Sequence, residues 1–275
     1  MNFILDRFAI KKQFSRIAEN YDDVSSLQKK VADELLSRLN FFEPSENIVI
    51  DIGSATGYIG RDLRKKFPNA SVLEIDLSFA MASESLKIDP ASRVLVSSVE
   101  KLPFANETVP MIISNMLLHW CDLSKALSEI ARVLEVGGNF FFTTLGQGSL
   151  SELRSIWSKI DDFPHVHDFY DMHDIGDALM VAGFSEPIID TDRTYTTYTD
   201  FSQLIGELRN IGATNARVDR QKGLMGTSKY NSVASAYKKY RNQAGRLPVT
   251  WEIVYGLATK NRVWTSNDIP VAMGR

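Results

Sequence analysis

The sequence predicts a doubly wound α/β fold: a mostly parallel seven-stranded sheet, with an N-terminal helical arm and a helical lid inserted between the last two strands. Three observations carry this expectation. Short apolar runs alternate with helical stretches from Ile48 to Leu145, a glycine-rich bend follows the first of those runs, and two long β-rich runs near the C-terminus are separated by a basic helical segment.

Residues 24–40 place Val24, Leu27, Val31, Leu35 and Leu39 at helical spacing, after Ser and Asp capping candidates and before Pro44, which defines an arm over 1–44. The alternation then runs through Ile48–Ile52, Gly57–Lys66, Ser71–Asp76, Met81–Lys87, Val94–Val96, Met111–Ser114, Lys125–Leu134 and Phe140–Leu145. Strands separated by helical crossovers pair in parallel, hence the sheet. Helical patterns follow at Leu150–Ile160 and Ile175–Ala182, the second closed by Gly183. The runs 187–198 and 249–259, rich in Ile, Val, Thr, Tyr and Trp, supply the last two strands. The expected division is arm 1–44, core 45–198 with 247–262, lid 199–246 and tail 263–275.

Bulk properties narrow the function. No apolar run approaches the roughly 18 residues of a membrane span, and Met1–Gln13 mixes Asp6, Arg7, Lys11 and Lys12 among its apolar residues, unlike a secretory signal. The lone cysteine, Cys121, fits a reducing compartment, so the cytoplasm is the expected location. His165, His167 and His173 gather near Asp168, but no helical i, i+4 pair supports a metal site; they read as loop residues, and no metal is expected. Net charge is −3, yet residues 206–246 carry nine Lys/Arg against Glu207 and Asp219, leaving −10 on the rest. That segment lacks the aromatic-basic interleaving of a nucleic-acid platform, so no nucleic-acid partner is expected.

The stretch Asp51-Ile52-Gly53-Ser54-Ala55-Thr56-Gly57-Tyr58-Ile59-Gly60 reads as strand, glycine bend and helix start. Glycines let the backbone approach a ligand and the helix start offers free amide donors, which implies a nucleotide-like ligand. Ala55 falls where the second glycine of a dinucleotide fingerprint would be, which argues against a pyrophosphate. Asp76, 19 positions beyond Gly57, ends the next strand and can accept bonds from ribose hydroxyls, with Glu74 as the competing acid. Asp51 suits a ligand with a cationic amino group, as a methionine moiety has.

With these features the chain resembles the class I methyltransferases. Phe14-Ser15-Arg16 with Tyr21 and Leu27-Gln28, then Phe142-Thr143-Thr144-Leu145, Gln147-Gly148-Ser149-Leu150 with Glu152-Leu153, and Ile211-Gly212-Ala213-Thr214-Asn215 narrow the resemblance to the malonyl-acyl-carrier-protein O-methyltransferases of biotin synthesis. The chain departs from the family's pattern at Ser54–Gly57, which replaces a Cys-Gly and a Pro-Gly pair, at Ser98, where an Asp commonly meets the adenine amino group, and at Val109-Pro110, consistent with a strand beginning at the proline.

The resemblance implies S-adenosylmethionine as cofactor, held by Asp51, Gly53, Gly57, Asp76, Leu77, Ser98, Val99 and Asn115. It implies methyl transfer to the free carboxylate of malonyl-acyl-carrier protein or malonyl coenzyme A. Such a carboxylate is ionised at pH 7 and needs no general base, only alignment and exclusion of water. His119 and Trp120, at the end of the fourth strand, are expected to border the transfer point, with Tyr21 of the arm closing over the cofactor. An acidic carrier protein with a phosphopantetheine arm suits the basic lid, where Arg209 and Arg217 are expected at the entrance and Lys238, Lys239 and Arg241 as outer contacts. Two other readings stay open: an arginine hydroxylase or assembly factor on the same fold, and a non-catalytic module with a decayed pocket.

Overall fold

Strands at the middle of a sheet covered on both sides must be apolar on both faces, and three segments here meet that demand: β1 (Ile48–Ile52), β4 (Val109–Ser114) and the second half of β5 (Leu134–Leu145) are almost wholly buried. The computed structural model describes residues 4–39, 42, 48–223 and 225–261; Pro44 and the tail 263–275 lie outside them. Around those strands stand β2 (Ser71–Asp76), β3 (Val94–Val96), β6 (Phe184–Tyr198) and β7 (Leu247–Lys260), in the order β3-β2-β1-β4-β5-β7-β6. The first five pair in parallel and β7 runs antiparallel to β5 and β6. This is the doubly wound, mostly parallel sheet that the sequence predicts. Strand order reverses between β1 and β4, and ligands bind in the crevice at the carboxyl ends of strands at such a point.

Successive residues of the central strands serve opposite layers. Val49, Met111, Ile113 and Phe141 join one core with α3 (Ser26–Arg38) and α4 (Tyr58–Lys66). Ile50, Ile52, Ile112, Phe140 and Phe142 join the other with α6 (Leu123–Val133) and α8 (Met172–Val181). A third core gathers α7 (Ser151–Trp157), α9 (Phe201–Asn210) and α10 (Thr227–Tyr237) on the first half of β7, through Leu153, Leu204, Tyr237, Val249 and Trp251. Gly256 is opposite Phe142 across the β5–β7 pair, and a Cβ on it would run into the Phe142 ring; the bare backbone is what lets that aromatic lie flat on the sheet.

Three elements differ from expectation. The pattern over 24–40 divides at Ser25 into α2 (Tyr21–Val24) and α3. Before them lies an unanticipated helix, α1 (Arg7–Ile17), capped by Asp6, whose carboxylate accepts from the Ala9 amide at 3.0 Å. β4 begins one residue before Pro110, which sits where the register with β5 shifts, so its missing N–H breaks no regular ladder. The remaining helix, α5 (Phe79–Ile88), packs on α1, β2 and β3.

Candidate active site

The bend after β1 is held from behind by β2: the amides of Gly53 and Ser54 both donate to the Ile75 carbonyl, at 2.7 and 3.1 Å. Gly53 and Gly57 take left-handed φ values of 76° and 77°, and so does Ala55 at 48°. A side chain in that region costs about 1–2 kcal/mol, so the bend keeps the shape of a glycine loop with one strained alanine. Its compensation is direct: the Ala55 amide donates to Asp76 Oδ2 at 3.0 Å, while Oδ1 accepts from the Ser78 amide at 2.7 Å. Burial nevertheless pushes the Asp76 carboxyl up to about 6.

Glu74 is no rival for that role. Fully buried behind the loop, it binds Arg64 at 2.7 Å and Ser85 at 2.5 Å. A Cβ on Gly57 or Gly60 would collide with its carboxylate. Gly57, expected to touch the cofactor, therefore serves packing over Glu74 and lines neither cavity described here.

A cavity of about 520 Å³ opens in front of the loop, within the range of small-molecule sites. Its lining brings together Tyr21, Gly53, Asp76, Leu77, Ser98, Val99, Asn115, His119, Trp120 and Arg209. Asp51 faces a neighbouring cavity of about 40 Å³ that shares Tyr21, Gln28, Gly53, Ala55 and Asn115 with the larger one. Among the described residues the buried Asp51 Oδ2 finds no hydrogen-bond partner, and neither do the buried oxygens of Ser25, Gln28 (Oε1) and Ser54 around the same small cavity. Burial, with Glu74 and Asp76 nearby, holds the Asp51 carboxyl well above the ordinary range. Buried polar atoms without partners are rare in folded proteins, and four around one cavity mark a place for a polar ligand. Asn115 joins the arm to the sheet, donating to the Gln28 carbonyl at 3.1 Å and accepting from Thr143 at 2.7 Å. Tyr21 stands above Asp76, its phenol raised by burial, by Asp76 and by Asp22.

At the far end, His119 lies in a 3₁₀ turn, Leu118–Trp120, with Nδ1 3.2 Å from the Thr144 hydroxyl. Burial drives its pKa down to about 3. The Trp120 ring meets Phe14 edge-on at 5.4 Å and His167 at 4.9 Å. His167, read from sequence as a loop residue, is thus part of the cavity wall. Its Nε2 accepts from the Ala216 amide at 2.7 Å, which puts the ring proton on Nδ1, and burial with Arg217 and Arg220 nearby lowers its pKa to about 4. His165, stacked on Trp157 at 3.6 Å, lines the cavity too, while His173 is exposed at the start of α8. Among the described residues no group of three His, Cys, Asp or Glu is arranged for a metal. The signal that could have found His167 is the Ile211–Asn215 segment, whose neighbour Ala216 reaches back to it.

The basic residues divide. Exposed Arg209 lines the cavity, with no charge partner among the described residues. Arg217 does not line it, because Asp168 and Asp219 hold its guanidinium. Lys238, Lys239 and Arg241 fall on the exposed turn before β7, outside the cavity lining, where Arg241 bonds the carbonyls of Gly245 and Thr199. Sequence reasoning also missed α1, whose Arg7, Ile10 and Phe14 form one cavity wall.

Residues 50–142 match the family of methyltransferase domains. A malonyl-acyl-carrier-protein O-methyltransferase of Coxiella burnetii is 40% identical, covering 93% of this chain and 89% of its own. The chain belongs to the malonyl-acyl-carrier-protein O-methyltransferase family. Another member of that family, from Gallionella capsiferriformans, is 38% identical over 94% of this chain and 92% of its own. These relatives favour a carboxyl methyltransferase over the hydroxylase and non-catalytic readings. Among solved structures, the YcgJ protein of Bacillus subtilis aligns at TM-score 0.61 with 15% identity, over 84% of this chain and 99% of its own. A phosphoethanolamine N-methyltransferase of Haemonchus contortus, solved with S-adenosylhomocysteine, aligns at 0.53 with 18% identity, over 84% of this chain and 52% of its own. Both share the fold of this malonyl-acyl-carrier-protein O-methyltransferase family member.

Proposed function

We propose that the protein transfers a methyl group from S-adenosylmethionine to the free carboxylate of a malonyl thioester on acyl carrier protein, giving the methyl ester that primes biotin synthesis. The observation that carries this reading is the unpartnered Asp51 Oδ2 beneath the bend, in a small cavity that shares Tyr21, Gly53 and Asn115 with the cavity lined by His119 and Trp120. An ammonium group supplies the partner that oxygen lacks, so the residues present fit the amino-acid moiety of the cofactor. Asp76, whose oxygens keep further lone pairs, receives the ribose hydroxyls, and Leu77, Ser98 and Val99 border the adenine. Bound there, the cofactor supplies an electrophilic methyl on a sulfonium centre.

The chain's own contribution is positioning. A malonyl carboxylate oxygen forms its bond to the methyl carbon as the carbon–sulfur bond breaks; the sulfonium charge is neutralised and no proton moves. His119 and His167 are both neutral at physiological pH, and Nδ1–H of His167 offers the carboxylate a donor that does not neutralise the nucleophile. Trp120 and Phe14 exclude water. We assign residues 199–246 as the lid over this end, and the arm 1–44 as its opposite wall. Cytoplasmic location accords with a single, buried cysteine whose thiol burial raises to about 12, and no helix among the described residues is long and apolar enough to cross a membrane.

Incubation of the protein with S-adenosylmethionine and malonyl carrier protein should add one methylene's mass to the thioester, read by mass spectrometry. No mass gain at high enzyme concentration overturns the reading.

A further inference from the structure

We infer that the outer face of α1, not the turn before β7, is the surface on which the acidic carrier protein docks. This rests on the carrier-protein reading above and adds a place on the molecule. Helix geometry sorts the residues of α1 into two faces. Arg7, Ile10 and Phe14 line the cavity, and the buried Ile17 continues their stripe. Phe8, Lys11, Lys12 and Arg16 are exposed and cover an arc of about 140° beside it.

Over Arg7–Ile17 there are four cations and no acid. Arg7 is paired with Glu100, whereas Lys11, Lys12 and Arg16 make no hydrogen bond or ion pair with any described residue. Phe8 is 76% exposed in their midst. Phe79, 70% exposed, opens α5 next to Ser78, whose hydroxyl lies 2.8 Å from that of Ser15 on α1. Unpaired cations ringing exposed aromatics fit an acidic helical surface, since complementary charge steers encounter and apolar contact holds it. The position fits as well: a protein seated on this face stands beside the cavity wall that the same helix supplies, so the arm bearing the malonyl group has a short path inward. The turn carrying Lys238, Lys239 and Arg241 contributes nothing to the cavity lining.

The start of α1 is also fixed in place, as docking requires. Leu5 bridges to Arg217, the Asp6 amide donates to the Ala216 carbonyl at 2.8 Å, and Arg220 pairs with the Asp6 carboxylate at 3.0 Å.

The test compares two thioesters and two charge-reversed proteins. In a variant carrying Lys11→Glu, Lys12→Glu and Arg16→Glu, KM for malonyl carrier protein at low salt should rise about tenfold or more, with kcat changed less than about twofold. Turnover of malonyl pantetheine, which lacks the protein, should stay within about twofold and reports that the site is intact. A Lys238→Glu, Lys239→Glu, Arg241→Glu variant should match the parent on both substrates. Equal losses on both thioesters, no loss in the α1 variant, or a loss confined to the second variant would each overturn the inference. If the parent protein methylates neither thioester, the activity reading fails separately, and fluorescence anisotropy with labelled holo-carrier protein decides docking. Binding abolished by the α1 substitutions sustains it, and equal binding overturns it.

Discussion

The two ends of the cavity are built by different means. At the end proposed for the cofactor, the bend and its carboxylates come from the segment 51–99 with Asn115, at the carboxyl ends of neighbouring parallel strands, while Tyr21, Ser25 and Gln28 of the arm complete the small cavity; the loop is fixed by its own amides to Ile75 and Asp76. At the end proposed for the substrate, the wall is assembled from α1, the 3₁₀ turn, the 165–169 loop and residues 205–225, segments up to about 200 residues apart in the chain. The first end is rigid because secondary structure places it; the second depends on contacts such as His167 to Ala216, which exist only once the chain has folded. Damage to the packing behind the first end should therefore appear as lost stability, and damage at the second as lost turnover.

The largest expected effect lies behind the cofactor loop. Arg64→Met removes the partner of fully buried Glu74, and breaking such a pair costs about 3–5 kcal/mol; chemical denaturation should show it as a lower midpoint at unchanged slope, and a loss under 1 kcal/mol would mean that Ser85 and Ser92 satisfy Glu74 unaided. Next comes the other end: His167→Ala should lower kcat/KM for the malonyl thioester about 10–100-fold, or roughly 1.4–2.7 kcal/mol, while leaving cofactor affinity nearly unchanged. Parallel loss of cofactor binding in calorimetry would erase the contrast between the ends.

Asp51→Asn gives the smallest change and the most diagnostic sign. Cofactor affinity should fall about tenfold for want of a charge-assisted bond, yet the ligand-free protein should gain stability, because an unpaired buried carboxyl is gone. The pH dependence follows. Carboxyls raised by folding, Asp51 and Asp76, bind protons more tightly in the native state, so their destabilising contribution is absent below the ordinary value of 3.8 and complete, for Asp76, above about 6. Thermal melts of the ligand-free protein should lose stability across that interval, and Asp51→Asn should lose less; identical profiles would show that Asp51 finds a partner in solution.

How much the sequence disclosed follows the same division. Strands β1, β2 and β3 are legible residue by residue because their apolar runs are short and bounded, and Asp76 is found by its place at the end of the second strand together with its distance from Gly57. Glu74 could not be told from Asp76 by strand alternation, because residues two apart share a face; they differ in that Asp76 ends β2 at the bend and meets the Ala55 amide, whereas Glu74 lies further back against Arg64. Helix α1 escaped because its apolar residues Ile10, Phe14 and Ile17 are outnumbered by exposed polar ones, so its stripe does not stand out in the sequence. Arg217 is absent from the cavity lining, since Asp168 and Asp219 hold it, and clustered charge in a sequence does not reveal which guanidinium already has its carboxylate; the turn at 238–241 also lies outside that lining.

Strand β7 has a bearing on how the molecule comes apart. It pairs with β6 from Leu247 to Lys260, and the same strand carries Val249 and Trp251 in the lid's core and Val254 and Ala258 in the core of the sheet. A beam shared by two cores couples their melting, so heat should produce one cooperative transition, and a fragment ending before Leu247 would leave both halves without a shared wall.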